Sequence, residues 1–227
     1  MPNDKQQQPV QSATAATLSY LELADVLVEF LEVAIHYVLY VRELYPAELF
    51  EARRKYNVPV QMSRHPALNT YIRNVLSSLK PDLEKGIVSK LYLAIHDPSK
   101  TLVEKFTFHI RSLLEEFDEA VRKTAQTTIN LNDIEANLRA FLMKIGVCDS
   151  MLRPNPPDCS FVLLVELTNP THPSAPPPNI PPSAWVPGEP AEVDLDANAS
   201  IVPLKTMDAG LLKMQLYAEE SARKGKS

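Results

Sequence analysis

Residues 18–45 read LSYLELADVLVEFLEVAIHYVLYVRELY, from Leu18 to Tyr45, and Pro46 closes the run. Set out at 100° per residue, Glu22, Asp25, Glu29, Glu32, His36 and Glu43 fall within an arc of roughly 80–90°. Arg42 apart, nearly everything else in the stretch is apolar. A helix with one narrow polar stripe needs cover over most of its circumference, so the segment predicts a central helix sandwiched by other elements. It does not read as a membrane span, because Glu29 and Glu32 would sit mid-bilayer at roughly 2–3 kcal/mol each.

The segments that follow supply the cover. Pro66 in a first turn, then Leu68, Tyr71, Ile72, Val75, Leu76 and Leu79 at three- and four-residue steps, predict a second helix stopped by Lys80-Pro81. Val88–Ile95 and Leu102–Ile110 predict two antiparallel strands, with Phe106, Phe108 and Ile110 alternating against Thr107 and His109. Ser112 with Glu115 resembles a capping box, and Leu113, Phe117, Ala120 and Val121 begin a helical pattern that a Thr/Gln patch at 124–128 interrupts. Asn132 with Glu135 caps a third major helix carrying Ile134, Leu138, Phe141, Leu142 and Ile145 to Gly146. Ser160–Leu167, SFVLLVEL, predicts a strand buried on both faces. Ile201–Leu204 and Leu212–Tyr217 predict two more strands. The order is α-α-β-β-α-β, an irregular excursion, then β-β: an α+β fold with helices packed on a mainly antiparallel sheet.

That excursion explains an imbalance in composition. The chain of 227 residues has 20 prolines and 5 glycines. Nine of the prolines fall in residues 168–190, around the lone tryptophan, Trp185. Because strands follow it, the proline-rich segment belongs to the domain and is not a linker. The glycines stand far apart and no Walker loop, dinucleotide fingerprint or HExxH occurs, so phosphate-cradling and zincin chemistry are disfavoured. A net charge of −5 argues against wrapping nucleic acid. Cys148 and Cys159 are too few for a disulfide scaffold or a four-ligand zinc site, and read as buried structural thiols. His36 follows Glu32 by four residues, which reads as a surface pair in place of a metal or proton-relay site. Arg53-Arg54-Lys55 reads as a solvated loop after a helix. Asp97, Glu104 and Asp149 form no recognisable carboxylate set. No catalytic residue, metal site or cofactor is expected, and an interaction protein is the default.

Seven stretches carry a resemblance. ADVLVEFLEVAIHYVLYVRELYP (Ala24–Pro46), KYNVPVQMSRHPALNTYI (Lys55–Ile72), VEKFTF (Val103–Phe108), LRAFLMKI (Leu138–Ile145), NPPDCSF (Asn155–Phe161), PLKTM (Pro203–Met207) and LKMQLYAEE (Leu212–Glu220) resemble the HORMA-domain family. Within it they resemble the mitotic arrest deficient-like accessory subunits of translesion DNA polymerase zeta. The resemblance implies a HORMA fold: three helices on an antiparallel sheet and a C-terminal safety belt that wraps a partner peptide added as a strand. It divides the chain into a disordered tail at 1–17, a HORMA domain at 18–220 with core 18–167 and belt 168–220, and a tail at 221–227.

The resemblance further implies a non-catalytic adaptor in the nucleus that touches DNA only indirectly. It would trap a proline-containing peptide of the polymerase catalytic subunit through Tyr71 and Trp185. Tyr71 lies on the apolar stripe of its helix and reads equally as core. Ile201, Gln215 and Tyr217 match positions that receive the scaffold deoxycytidyl-transferase polymerase. Arg139 matches an arginine used for dimerisation with itself or another HORMA protein. The alternative within the family is a checkpoint adaptor that captures an anaphase-promoting-complex activator or a double-strand-break repair factor.

Overall fold

A computed structural model describes residues 17–168, 188 and 193–224. A short strand β1 (Thr17–Ser19) leads into helix α1 (Tyr20–Val41), whose start is fixed by a reciprocal cap: Ser19 accepts the Glu22 N–H and Glu22 accepts the Ser19 N–H. Next come a hairpin, β2 (Phe50–Lys55) and β3 (Val58–Ser63), and helix α2 (Pro66–Lys85). Strands β4 (Val88–His96) and β5 (Leu102–Ser112), helix α3 (Glu119–Thr124), strand β6 (Gln126–Asn130) and helix α4 (Leu131–Gly146) follow. The chain closes with β7 (Ser160–Leu167), β8 (Ser200–Asp208) and β9 (Leu212–Glu220).

The main sheet has the order β7-β4-β5-β9-β8, antiparallel throughout. Its inner face joins Leu91 to Phe108, Leu93 to Phe106, Phe108 to Leu216 and Ile110 to Met214 across strands. Burying each such side chain is worth about 1.5–3 kcal/mol. α1 is central as expected, touching α2, α4 and β3, with Phe30 edge-on to Phe141 of α4 at 5.6 Å. Gly146 permits the close approach of α4: a Cβ there would lie 2.6 Å from the Tyr37 hydroxyl.

The acidic stripe of α1 meets cations of its neighbours: Asp25 pairs with Lys80, Glu29 with Lys55 and Glu32 with Arg73. His36 departs from that stripe. It is fully buried, and neither ring nitrogen has a hydrogen-bond partner among the described residues. Projection of one helix cannot show that other elements close over this end, so the expected surface pair with Glu32 is wrong. Burial depresses the His36 pKa to about 4.

Other departures are local. α2 runs through Pro81 to a left-handed cap at Gly86, because burial of Leu79 and Leu83 offsets the missing hydrogen bond. Ser112 ends β5, and Asp118 caps the short α3, a fourth helix. Asn130, not Asn132, caps α4. The Thr/Gln patch ends α3 at Thr124 and opens β6 at Gln126, and β6 pairs with β1, so Thr17 belongs to the fold. Arg53-Arg54-Lys55 lies in strand β2, reached through a tight turn at Tyr56-Asn57 with φ of 46° and 60°. β7 is an edge strand, half-buried along most of its length, not one covered on both faces.

Candidate functional site

Two edges define the main sheet, and the chain uses them differently. β8 and β9 add to the β5 side, so β7 forms the opposite edge, where no strand pairs with it among the described residues. Tyr71 of α2 stands beside this edge. It is 40% exposed, which corrects its reading as core. Its ring meets Phe161 of β7 edge-on at 5.8 Å, and Tyr45 meets the same ring at 6.3 Å. The Tyr71 hydroxyl accepts the Leu163 N–H at 3.2 Å. That bond shows which way the strand faces: Leu163 turns its N–H away from β4, and by antiparallel alternation so do Phe161 and Val165. This row of donors and acceptors, paired with no strand among the described residues and with its Leu163 N–H held by Tyr71, lies beside three aromatic rings and can accept an extended chain.

The segment between β7 and β8 connects opposite edges of the sheet. Of its described part, Val193 lies over the outer face, where its carbonyl accepts the Lys105 ammonium at 2.6 Å. Trp185 lies outside the described residues. On the outer face, Tyr92 and Lys90 hold the Glu166 carboxylate, tying β7 to β4. Burial and Glu166 together push the Tyr92 hydroxyl well above its ordinary pKa.

Ile201, Gln215 and Tyr217 share the outer face of the β8–β9 hairpin. Ile201 is opposite Glu219, Pro203 opposite Tyr217, and Gln215 opposite Thr206. Ile201 is 63% exposed and Gln215 is exposed, whereas Tyr217 is half-buried. This patch and Tyr71 lie at opposite ends of the strand order. Arg139 belongs to neither: from α4 its Nε donates to the Tyr56 carbonyl at 2.9 Å, holding the β2–β3 turn.

The thiols and histidine are poor reactive groups. Burial drives the Cys148 thiol up to about 12, and burial also raises Cys159, which is only partly covered. Among the described residues no cluster of three or more His, Cys, Asp or Glu is placed to hold a metal, and no helix is long and apolar enough to cross a membrane.

One constellation had no sequence signal. Glu104, at the start of β5, is fully buried and binds Arg42, the residue that ends α1, in two places, at 2.8 and 3.0 Å, together with the Lys224 ammonium. Arg42 also binds Asp149. Arg153 joins Glu220 at 3.2 Å and donates to the carbonyls of Ser221 and Lys224 at 2.6 and 2.8 Å. Residues 221–224, expected as tail, are therefore built into the fold. The only hint was Arg42 itself, the one Lys or Arg in the apolar run of residues 18–45.

The chain matches the HORMA domain family over residues 24–180. It is 45% identical over 206 residues to the human mitotic spindle assembly checkpoint protein MAD2B, covering 89% of this chain and 93% of that protein. It is 30% identical over 199 residues to the DNA polymerase zeta processivity subunit of Arabidopsis thaliana, covering 87% and 86%. Among solved structures, a chain of the mitotic checkpoint complex superposes with a TM-score of 0.71 at 22% identity, over 88% of this chain and 99% of that one. HTP-2 of C. elegans bound to the HIM-3 closure motif gives 0.68 at 12% identity, over 90% and 92%. At these identities the structural likeness is one of fold.

Proposed function

Because this chain belongs to the HORMA domain family, we propose that it is a non-catalytic adaptor subunit of DNA polymerase zeta, acting in translesion synthesis and DNA damage tolerance. The edge of β7 takes an extended proline-containing segment of the catalytic subunit as an added strand, with Tyr71 and Trp185 as its contact residues. The patch of Ile201, Gln215 and Tyr217 receives the scaffold deoxycytidyl-transferase polymerase. The adaptor is nuclear and reaches DNA only through these partners. Self-association, or pairing with another HORMA protein near Arg139, belongs to the same proposal.

The observation that carries the reading is the β7 edge, which no strand pairs among the described residues, with Tyr71 bonded to Leu163 and opposite the edge taken by β8 and β9. Main-chain pairing accepts many extended peptides, and a segment closing over the peptide would slow its escape, so a short motif is held through a low off-rate. The polymerase zeta subunit among the relatives supports this choice of client.

Fluorescence anisotropy with a labelled peptide from the catalytic subunit tests it. Tyr71→Ala and Trp185→Ala should each weaken binding. Gln215→Ala with Tyr217→Ala should spare the peptide and remove the scaffold polymerase. A folded double variant that loses both partners would refute two separate surfaces. The relatives named for the spindle checkpoint favour a second reading, in which the same edge captures an anaphase-promoting-complex activator or a double-strand-break repair factor. Competition between the two peptide classes for one protein would show a shared edge.

A further inference from the structure

A cleft of about 520 Å³ separates the β2–β3 hairpin from α1 and α2, and its walls carry Arg53, Arg54, Lys55, Arg64 and Arg73. Three carboxylates offset them: Glu51 pairs with Arg53, Glu29 with Lys55, and Glu32 with Arg73 at 3.1 Å. Arg54 has no carboxylate partner among the described residues, and Arg64 donates only to the Glu48 carbonyl. These ion pairs are largely solvent-exposed, so exchanging one carboxylate for another costs little. The cleft is thus locally basic on a chain whose net charge is −5.

The backbone adds direction. The two-residue turn at Tyr56-Asn57 makes Lys55/Val58 and Arg53/Val60 the hydrogen-bonded pairs of the hairpin. Ala52 and Arg54 therefore turn their N–H and C=O groups away from β3. Pro59, with no N–H to offer, sits opposite Arg54 as this register requires. No strand pairs with that side of β2 among the described residues. The side-chain oxygen of Asn69, a residue of the lining, is buried without a hydrogen-bond partner among the described residues.

We propose that this cleft docks an extended acidic segment of a partner protein, which adds to β2 as a strand and sets its carboxylates against Arg53, Arg54, Arg64 and Arg73. The site is separate from the β7 edge and does not depend on the function proposed for that edge. A peptide fits better than nucleic acid for two reasons. A phosphodiester backbone can accept the free N–H groups of Ala52 and Arg54 but has no donor for their C=O groups, whereas a peptide strand pairs with both. A long polyanion would also feel the repulsion of the whole acidic chain, whereas a short segment feels chiefly the charges within about 8 Å.

The probe is a fluorescein-labelled ten-residue peptide of Glu with Val at every third position, which sets carboxylates on both faces of an added strand, titrated into the full chain and followed by anisotropy. The same peptide N-methylated at alternate backbone nitrogens and an oligothymidylate serve as comparisons. The plain peptide should bind. Its affinity should fall at least about tenfold with Arg53→Glu plus Arg54→Glu, and measurably with the milder Arg54→Ala. N-methylation on the pairing side should abolish binding, and Tyr71→Ala should leave it unchanged. Equal binding of plain and N-methylated peptides would overturn strand addition. Binding of oligothymidylate without the peptide would make the cleft a nucleic-acid site and overturn the proposal. So would absence of peptide binding, full affinity in the folded double variant, or a double variant whose sole effect is to dissociate a dimer in sedimentation.

Discussion

Removing the Glu104 carboxylate should be among the most costly single changes in this protein, and more costly than removing its partner Lys224. Glu104 is fully buried and is the one carboxylate shared by Arg42 and Lys224. Glu104→Gln leaves Lys224 with Glu220, at 3.5 Å, as its one remaining carboxylate, and leaves Arg42 with the Arg153 carbonyl and Asp149, whose side chain is 64% exposed. Stripping one partner from a buried pair costs about 3–5 kcal/mol, because a charge is left without compensation. At roughly 2–4 °C per kcal/mol for a chain of this size, the melting point falls by about 6–20 °C. Lys224→Met is milder: Glu104 keeps its two bonds from Arg42, and Glu220 keeps Arg153. The double variant should then be more stable than the two separate losses imply, by about 0.5–3 kcal/mol of coupling. Urea unfolding of the wild type and the three variants, without any partner peptide, measures all of these terms. If Glu104→Gln stays within about 1 kcal/mol of wild type, or Lys224→Met proves the more costly, the charge accounting is wrong.

Further outcomes follow from single residues. Since the folded His36 pKa is depressed to about 4 against an ordinary 6.5, its contribution is intact above pH 6.5 and is lost as pH falls toward 4. The loss is on the order of 3 kcal/mol, and the difference in urea stability between wild type and His36→Leu should change by that amount across this window. Gly146→Ala should cost about 1–3 kcal/mol by pressing a methyl group onto the Tyr37 hydroxyl, and Tyr37→Phe in that background should recover part of it in thermal melts. In the native protein a thiol reagent should modify Cys159 and leave the buried Cys148 until denaturant is added; rapid reaction of both would contradict the burial of Cys148.

The elements legible in the sequence are those with long, uniform periodicity. The 22 residues of α1 and the alternation of Phe106, Phe108 and Ile110 in β5 speak through local pattern alone. The β2–β3 hairpin was hidden because its turn, Tyr56-Asn57, lacks glycine and its β2 strand shows charges in place of an alternating apolar face. β1 and β6 were hidden because neither is a strand without the other. Of the expected contact residues, Gln215 and Tyr217 were placed on one face by alternation, and the pairing of β8 with β9 brought Ile201 to them. No pattern in α2 could show that Tyr71 leaves the core for the β7 edge, since that depends on where β7 falls in the strand order. The Glu104 cluster joins residues more than a hundred positions apart, beyond the reach of any motif.

The position of β9 inside the sheet also bears on how the chain is made. β5 finds β4 at once through a short connection, but its other side waits for β9: Ser112 pairs with Leu212, and Phe108 with Leu216. During synthesis an apolar strand therefore stays half-paired while about a hundred further residues emerge, and a bare edge of that kind recruits whatever strand is nearest. On a crowded ribosome the nearest candidate is the β9 of a neighbouring copy, so the same register that completes the monomer can complete a swapped pair.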